Sequence, residues 1–193
     1  MARFWHDEVE RVARHIRAIK TSAPRPLVAA VDGRSGVGKS SFSRELGSSH
    51  DAVIIDGDDF FAGGVFVRDD PAAALAETCI DWPAQRAVIE ALLTEGRAQY
   101  FPFDWDRFDG SKSSELRIVA ARPLIILEGV YSARPQLRDH IDLAVLIEVP
   151  PERRIAQLLK REGEIGPWEK QWHRAEDWYF AALMPREAFD IVI

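Results

Sequence analysis

The chain has 193 residues, 47% of them hydrophobic and 29% charged, with a net charge of −6; this is enough apolar material for one core around a sheet, and the acidic balance argues against a polyanion such as DNA or RNA as partner. The longest apolar runs, such as Pro123 to Leu127, are strand-sized and fall short of the roughly 20 residues of a membrane span. Arg3, His6, Asp7 and Glu8 at the start speak against an export signal, and the single cysteine, Cys79, excludes an internal disulfide and fits a reducing cytoplasm.

Trp5, Val9, Val12, Ile16 and Ile19 recur at alternating spacings of four and three, which predicts an amphipathic helix over residues 3–20, packed on a sheet and ended by Pro24 and Pro26. Pro26 to Asp32 then reads as a buried strand. Directly behind it, Gly33 to Ser40 spells G-x-x-x-x-G-K-[ST], and Ser41 to Leu46 reads as a helix closed by Gly47. Strand, glycine turn and helix are the context this pattern needs. Glycines let backbone N–H groups close around a phosphate that a Cβ atom would hold off. The expected contacts to the triphosphate are Gly33, Ser35, Gly36, Val37, Gly38, Lys39, Ser40 and Ser41. Lys39 neutralises the β- and γ-phosphates, Ser40 offers its hydroxyl to Mg²⁺, and the helix N-terminus faces the anion.

Four more apolar runs follow, at Ala52 to Ile55, Leu124 to Leu127, Leu143 to Ile147 and Ile191 to Ile193. Helical stretches separate most of them, notably Pro83 to Leu93, Pro151 to Arg161 and Trp168 to Leu183. The alternation predicts an α/β fold with a five-stranded, mostly parallel sheet covered by helices on both faces. Ligands then sit beyond the carboxyl ends of the strands. One of those ends carries Asp56-Gly57-Asp58-Asp59-Phe60-Phe61, and another carries Glu128. Glu128 is a candidate Mg²⁺ carboxylate, direct or through water. An aspartate at 58 or 59 could serve as a base toward a bound hydroxyl, or could simply bond its own turn.

With these residues in place, the chain resembles the uridine kinase and phosphoribulokinase branch of P-loop kinases, which includes nicotinamide riboside and pantothenate kinases. The resemblance runs from Val28 to Ile193 through the phosphate loop, DDFF at Asp58 to Phe61, DWP at Asp81 to Pro83, FPFDW at Phe101 to Trp105, LEG at Leu127 to Gly129, and RD at Arg138-Asp139. It implies a three-layer P-loop NTPase fold, one kinase domain over residues 1–193 with its core over 26–193, and a lid over about 153–175. It places the catalytic base on Asp58. Asp81 either grips sugar hydroxyls or caps the helix ahead of Pro83.

The same resemblance puts Asp104 and Arg138 near the acceptor, although Arg138 could equally be a surface arginine capping the short Pro135 to His140 helix; Tyr100 and Trp105 could supply aromatic stacking there or simply be core. The family's usual Pro-x-Tyr-Asp reads Pro102-Phe103-Asp104 here, without the tyrosine hydroxyl. Arg153, Arg154, Lys160 and Arg161 fall in the lid region, with Arg154 and Arg161 the candidates for charge stabilisation. Gln157 and Leu158 stand where such kinases often carry further arginines, and the chain stops after its last expected strand, without the tail many relatives carry. Trp168, Trp172 and Trp178 are expected in the core.

The implied activity is transfer of the γ-phosphoryl of ATP, with Mg²⁺, to a hydroxyl of a nucleoside-like acceptor in the cytoplasm, without nucleic acid or membrane. Sugars, sugar phosphates, pantothenate-like acids and antibiotic alcohols stand as alternatives, as does a nucleotide switch that transfers nothing. The absence of an N-K-x-D motif disfavours a GTPase. A homo-oligomer is compatible with the sequence, which does not fix the oligomeric state.

Overall fold

The computed structural model describes residues 5–19 and 25–193. Arg3, residues 4 and 20 of the expected first helix, and Pro24 lie outside the described residues. In chain order the regular elements are α1 (His6–Ala18), β1 (Leu27–Asp32), α2 (Lys39–Ser48), β2 (Ala52–Asp56), α3 (Ala72–Thr78), α4 (Trp82–Thr94), β3 (Arg97–Tyr100), β4 (Arg117–Ala120), β5 (Leu124–Glu128), β6 (Leu143–Leu146), α5 (Pro151–Glu162), α6 (Pro167–Trp178) and β7 (Ile191–Val192).

The central sheet has five strands in the order β2-β5-β1-β6-β7, all parallel. Parallel strands are linked by crossovers that leave helices on both faces, so each strand needs apolar residues on both sides. All five residues of β5 are buried. Alternate side chains go to opposite layers. Val28, Ala30, Ile125 and Leu127 meet Ile89 and Leu92 of α4 and Ala175 of α6, whereas Ala29, Val31, Leu124 and Ile126 meet Val9 and Val12 of α1 and Phe42 and Leu46 of α2. Each fully buried Leu, Ile or Phe contributes about 1.5–3 kcal/mol, against about 0–1 kcal/mol for an exposed ion pair. The two apolar layers therefore hold the sheet, and the surface pairs add little.

α1 forms as its periodicity predicts, with Val9, Val12, Ala13 and Ile16 buried and Trp5 edge-on to Phe42 at 5.7 Å. The long helix expected from Trp168 to Leu183 is α-helical only as far as Trp178 and continues through Leu183 as a wider π turn.

Two features depart from the sequence reading. α3 is a short alanine-rich helix without a capping side chain. β3 and β4 form a separate antiparallel pair, Arg97 facing Ala120 and Tyr100 facing Arg117. These four-residue strands sit outside the main sheet; β3 alternates polar with apolar residues, and the apolar run of β4, Ile118 to Ala120, is short and mostly exposed, so neither is a core strand. Among the described residues no helix is long and apolar enough to cross a membrane.

Candidate active site

The phosphate loop leaves the carboxyl end of β1 and enters α2, whose first helical residue is Lys39. Gly38 precedes it at φ +100° and Gly36 stands at φ +84°, both in the region that favours glycine. At Gly36 space adds a second constraint, because a Cβ there would lie 2.7 Å from Cγ of Leu158 and 3.1 Å from the Arg154 carbonyl. α5 thus rests directly on the loop, which accounts for leucine at 158 where a further lid arginine was expected.

The first turn of α2 leaves backbone N–H groups without helical partners, an arrangement suited to an anion. Lys39 is buried, and its Nζ donates to the carbonyls of Gly33 at 2.9 Å and Arg34 at 3.2 Å. Its charge is thereby held over the loop. Val37 is buried in the α1 layer, while Ser40 and Ser41 are exposed at the mouth.

Asp32 anchors the loop from below. Fully buried, it accepts from the N–H groups of Gly33 (2.7 Å), Tyr131 (3.0 Å) and Ala133 (3.0 Å) and from the Tyr179 hydroxyl (2.8 Å). Burial pushes its pKa up to about 6, and these donors pull against the rise.

The neighbouring strand ends bring acids together. Register places Asp56 of β2 opposite Glu128 of β5, which also pairs with Val31 of β1. Glu128 is 4% exposed. Burial, then repulsion from Asp56, pushes its pKa up to about 7, with Lys39 and the Ser40 hydroxyl opposing. Two crowded buried acids beside a serine hydroxyl form a donor set that a hard dication would relieve. Among the described residues no three His, Cys, Asp or Glu side chains gather as a metal cluster. That is ordinary for magnesium, which takes one or two protein carboxylates plus phosphates and water.

The adjacent acids Asp58 and Asp59 are separated by the fold. Asp59 is buried and committed to the β3–β4 hairpin: it accepts from Tyr100 Oη at 2.8 Å and from Arg117, and its carbonyl accepts from Phe103 N at 2.7 Å. Asp58 faces the other way, into a cavity of 450 Å³. Its carboxyl accepts no hydrogen bond among the described residues, and the residue is solvent-exposed while lining that cavity. Enclosure by protein raises its pKa, Asp56 raises it further, and Lys39 and Arg161 pull it down.

Opposite Asp58 the cavity is walled by aromatic rings. Phe61 packs against Trp105 at 5.1 Å, Trp168 at 5.9 Å and Trp172 at 5.7 Å, and all four line the space. The tryptophans at 168 and 172 therefore form both core and cavity wall. Trp105 Nε1 donates to the Asp58 carbonyl at 3.2 Å, tying wall to acid.

Both lid candidates reach this region. Arg154 Nη1 donates to the Ser35 carbonyl at 3.2 Å, and Arg161 lines the cavity while pairing with Glu162 at 2.6 Å. Sequence reasoning missed Glu176 of α6, whose carboxylate accepts from Ser35 Oγ at 2.5 Å and Ser35 N at 3.2 Å and lies 3.7 Å from Arg154. A lone glutamate in an aromatic helix gives no local signal of this.

Four predicted acceptor residues are placed elsewhere. Asp81 caps α4, accepting from Ala84 N at 3.1 Å, so the capping alternative is the one observed. Tyr100 belongs to the hairpin and spends its hydroxyl on Asp59. Asp104 closes its own turn on Arg107 N at 2.9 Å. Arg138 lies at the amino-terminal edge of the sheet, where both Nη2 contacts go to Asp190 at 3.0 Å and Asp190 in turn accepts from Ala144 at the start of β6. The RD spelling is met, but the packing sends the arginine to the wrong end for acceptor binding.

Fold and loop together define the three-layer α/β architecture of P-loop kinases, which is the fold that the sequence resemblance implies. No protein-family profile matches the chain, and no curated protein matches it in sequence. Solved structures do match. One described as a possible uridine kinase from Bacillus stearothermophilus superimposes with a TM-score of 0.73 at 20% identity, over 97% of this chain and 98% of its own. A candidate fructose transport system kinase from Silicibacter gives 0.68 at 20% identity, over 96% and 98%. D-glycerate 3-kinase from Cryptococcus neoformans gives 0.65 at 15% identity, over 100% and 93%. At such identities the likeness is one of fold.

Proposed function

We propose that the chain is an ATP-dependent kinase that transfers the γ-phosphoryl group to a hydroxyl of a small, nucleoside-like acceptor. The observation that carries this reading is Asp58: a carboxyl with no hydrogen-bond partner among the described residues, lining an open cavity beside the loop that holds Lys39. The similar structures are named for a nucleoside, a sugar and a sugar acid, which supports a hydroxyl acceptor and leaves its identity to the cavity.

In this reading the triphosphate is the substrate seated on Gly33 to Ser41. Backbone N–H groups of the loop and Lys39 Nζ donate to its β- and γ-oxygens, and Lys39 exchanges the carbonyls of Gly33 and Arg34 for phosphate. The Ser40 hydroxyl and Glu128, directly or through water, would hold magnesium, which would supply charge neutralisation to the phosphates. Asp58 accepts the proton of the acceptor hydroxyl at Oδ and holds its oxygen in line with the phosphorus. Arg154 and Arg161, from a lid comprising α5 and the start of α6, stabilise charge on the transferring group, and the tryptophan wall excludes water.

The test is ADP release with ATP and Mg²⁺ against a panel of alcohols, with Lys39→Ala as blank. Asp58→Asn should bind ATP normally and lose about 10²–10⁴-fold in turnover. Near-normal turnover in that variant sinks the assignment, and a loss confined to KM for the alcohol moves Asp58 to acceptor binding.

A further inference from the structure

The charge and the surfaces of the Asp58 cavity restrict what kind of alcohol fits it. Its lining includes five carboxylates, Asp56, Asp58, Glu162, Glu169 and Glu176, and one arginine, Arg161. That arginine is already committed to Glu162 at 2.6 Å. Lys39 and Arg154 turn toward the carbonyls of the phosphate loop. His173 also lines the space, and burial holds its pKa below the ordinary imidazole value, so it adds no charge near neutral pH.

An anionic acceptor would meet five lining carboxylates and, among the described residues, a single lining arginine, which is paired with Glu162 and assigned above to the transferring phosphoryl group. A bound triphosphate deepens that field. Aromatic faces, by contrast, attract cations within about 6 Å of a ring centre through the ring quadrupole, most strongly for tryptophan and where water is excluded. Phe61, Trp105, Trp168 and Trp172 present four such rings in contact with one another.

We propose that the acceptor is an alcohol bearing a cationic nitrogen, quaternary or protonated, and no carboxylate or phosphate group. The nitrogen sits among the tryptophans and the hydroxyl reaches Asp58. The inference rests on the kinase reading above and narrows its acceptor.

The experiment is ADP release by the full chain with Mg²⁺ and ATP over three sets of alcohols matched in size. One set holds neutral nucleosides and sugars, one holds N-ribosyl pyridinium compounds and quaternary or primary amino alcohols, and one holds hydroxy acids and sugar phosphates. The expected result is a kcat/KM at least about 10-fold higher for the cationic set than for its neutral matches, with the anionic set at background. In Trp105→Leu, whose parent ring is 43% exposed and so can be cut without opening the core, the ratio of cationic to neutral kcat/KM should fall several-fold. Transfer to neutral or anionic alcohols at equal or higher efficiency overturns the cationic acceptor and leaves the kinase standing. An unchanged ratio in Trp105→Leu removes that ring from recognition and overturns the aromatic basis of the proposal. Turnover of no alcohol of any charge overturns both readings together.

Discussion

The phosphate loop and the acceptor cavity share the carboxyl ends of one sheet, yet they are assembled on opposite plans. The loop takes its donors from consecutive residues, Gly33 to Ser41, and works mostly through backbone N–H groups held by glycine geometry. The cavity takes side chains from six separate segments outside that loop: Phe61 after β2, Ile80 before α4, Trp105 after β3, Tyr131 after β5, Arg161 on α5, and Trp168 and Trp172 on α6. A backbone site of the first kind serves any substrate bearing the same phosphates. A side-chain site of the second kind changes with each packing substitution, so specificity belongs there.

Substitutions at the two regions should separate these roles. The largest effect is expected on the phosphate side: Lys39→Ala removes a preorganised cation and should lower turnover about 10²–10³-fold with every acceptor tried, as steady-state ADP release would register. An acceptor-dependent loss would break the division, because it would mean that the lysine also reads the alcohol.

Glu128→Gln sharpens the comparison by setting function against stability. Glu128 has a folded pKa of about 7 against a reference of 4.5, so the folded chain holds this proton more tightly than the unfolded chain. Stability contributed by this group therefore falls as pH rises from about 4.5 to 7, and the full cost, of order 1–3 kcal/mol, is present above that window. In the absence of Mg²⁺ and nucleotide, Glu128→Gln should melt higher than wild type at pH 8 and lose that advantage at pH 4. At the same time it should raise the Mg²⁺ concentration needed for turnover. Equal melting at both pH values would remove the buried-charge account of Glu128.

The smallest effect is expected at Arg138→Leu. Its ion pair with Asp190 is partly exposed, so the cost in stability should be about 0–1 kcal/mol, with kcat and KM for the acceptor unchanged. A rise in acceptor KM would restore the role that the sequence suggested.

How much of this was legible in the sequence follows from the same two plans. The loop, the five parallel strands and the acids at their tips could be read, because each depends on neighbours in sequence or on an apolar run. The residues alone did not separate Asp58 from Asp59; the resemblance favoured Asp58, and the hairpin that claims Asp59 adds a structural ground for that choice. The hairpin itself was hidden, since Arg97-Ala98-Gln99-Tyr100 is short and half polar and the apolar run of Arg117-Ile118-Val119-Ala120 is too short to stand out. Glu176 acquires its place only when the π turn and α6 fold back over the loop. Arg138 shows the converse error, in which a two-letter spelling survives while the surrounding chain carries it to the opposite end of the sheet.

The knot at Asp32 ties these regions into one moving part. Gly33 opens the phosphate loop, Tyr131 and Ala133 follow β5, and Tyr179 ends α6, yet one carboxylate receives a hydrogen from each of the four. Were α5 and α6 to move as the proposed lid, α6 would drag on this shared anchor or break it. The amide of Gly33 and those of Tyr131 and Ala133, which lie in two loops far apart in the chain, should then exchange with deuterium through a single opening event, as one cooperative unit.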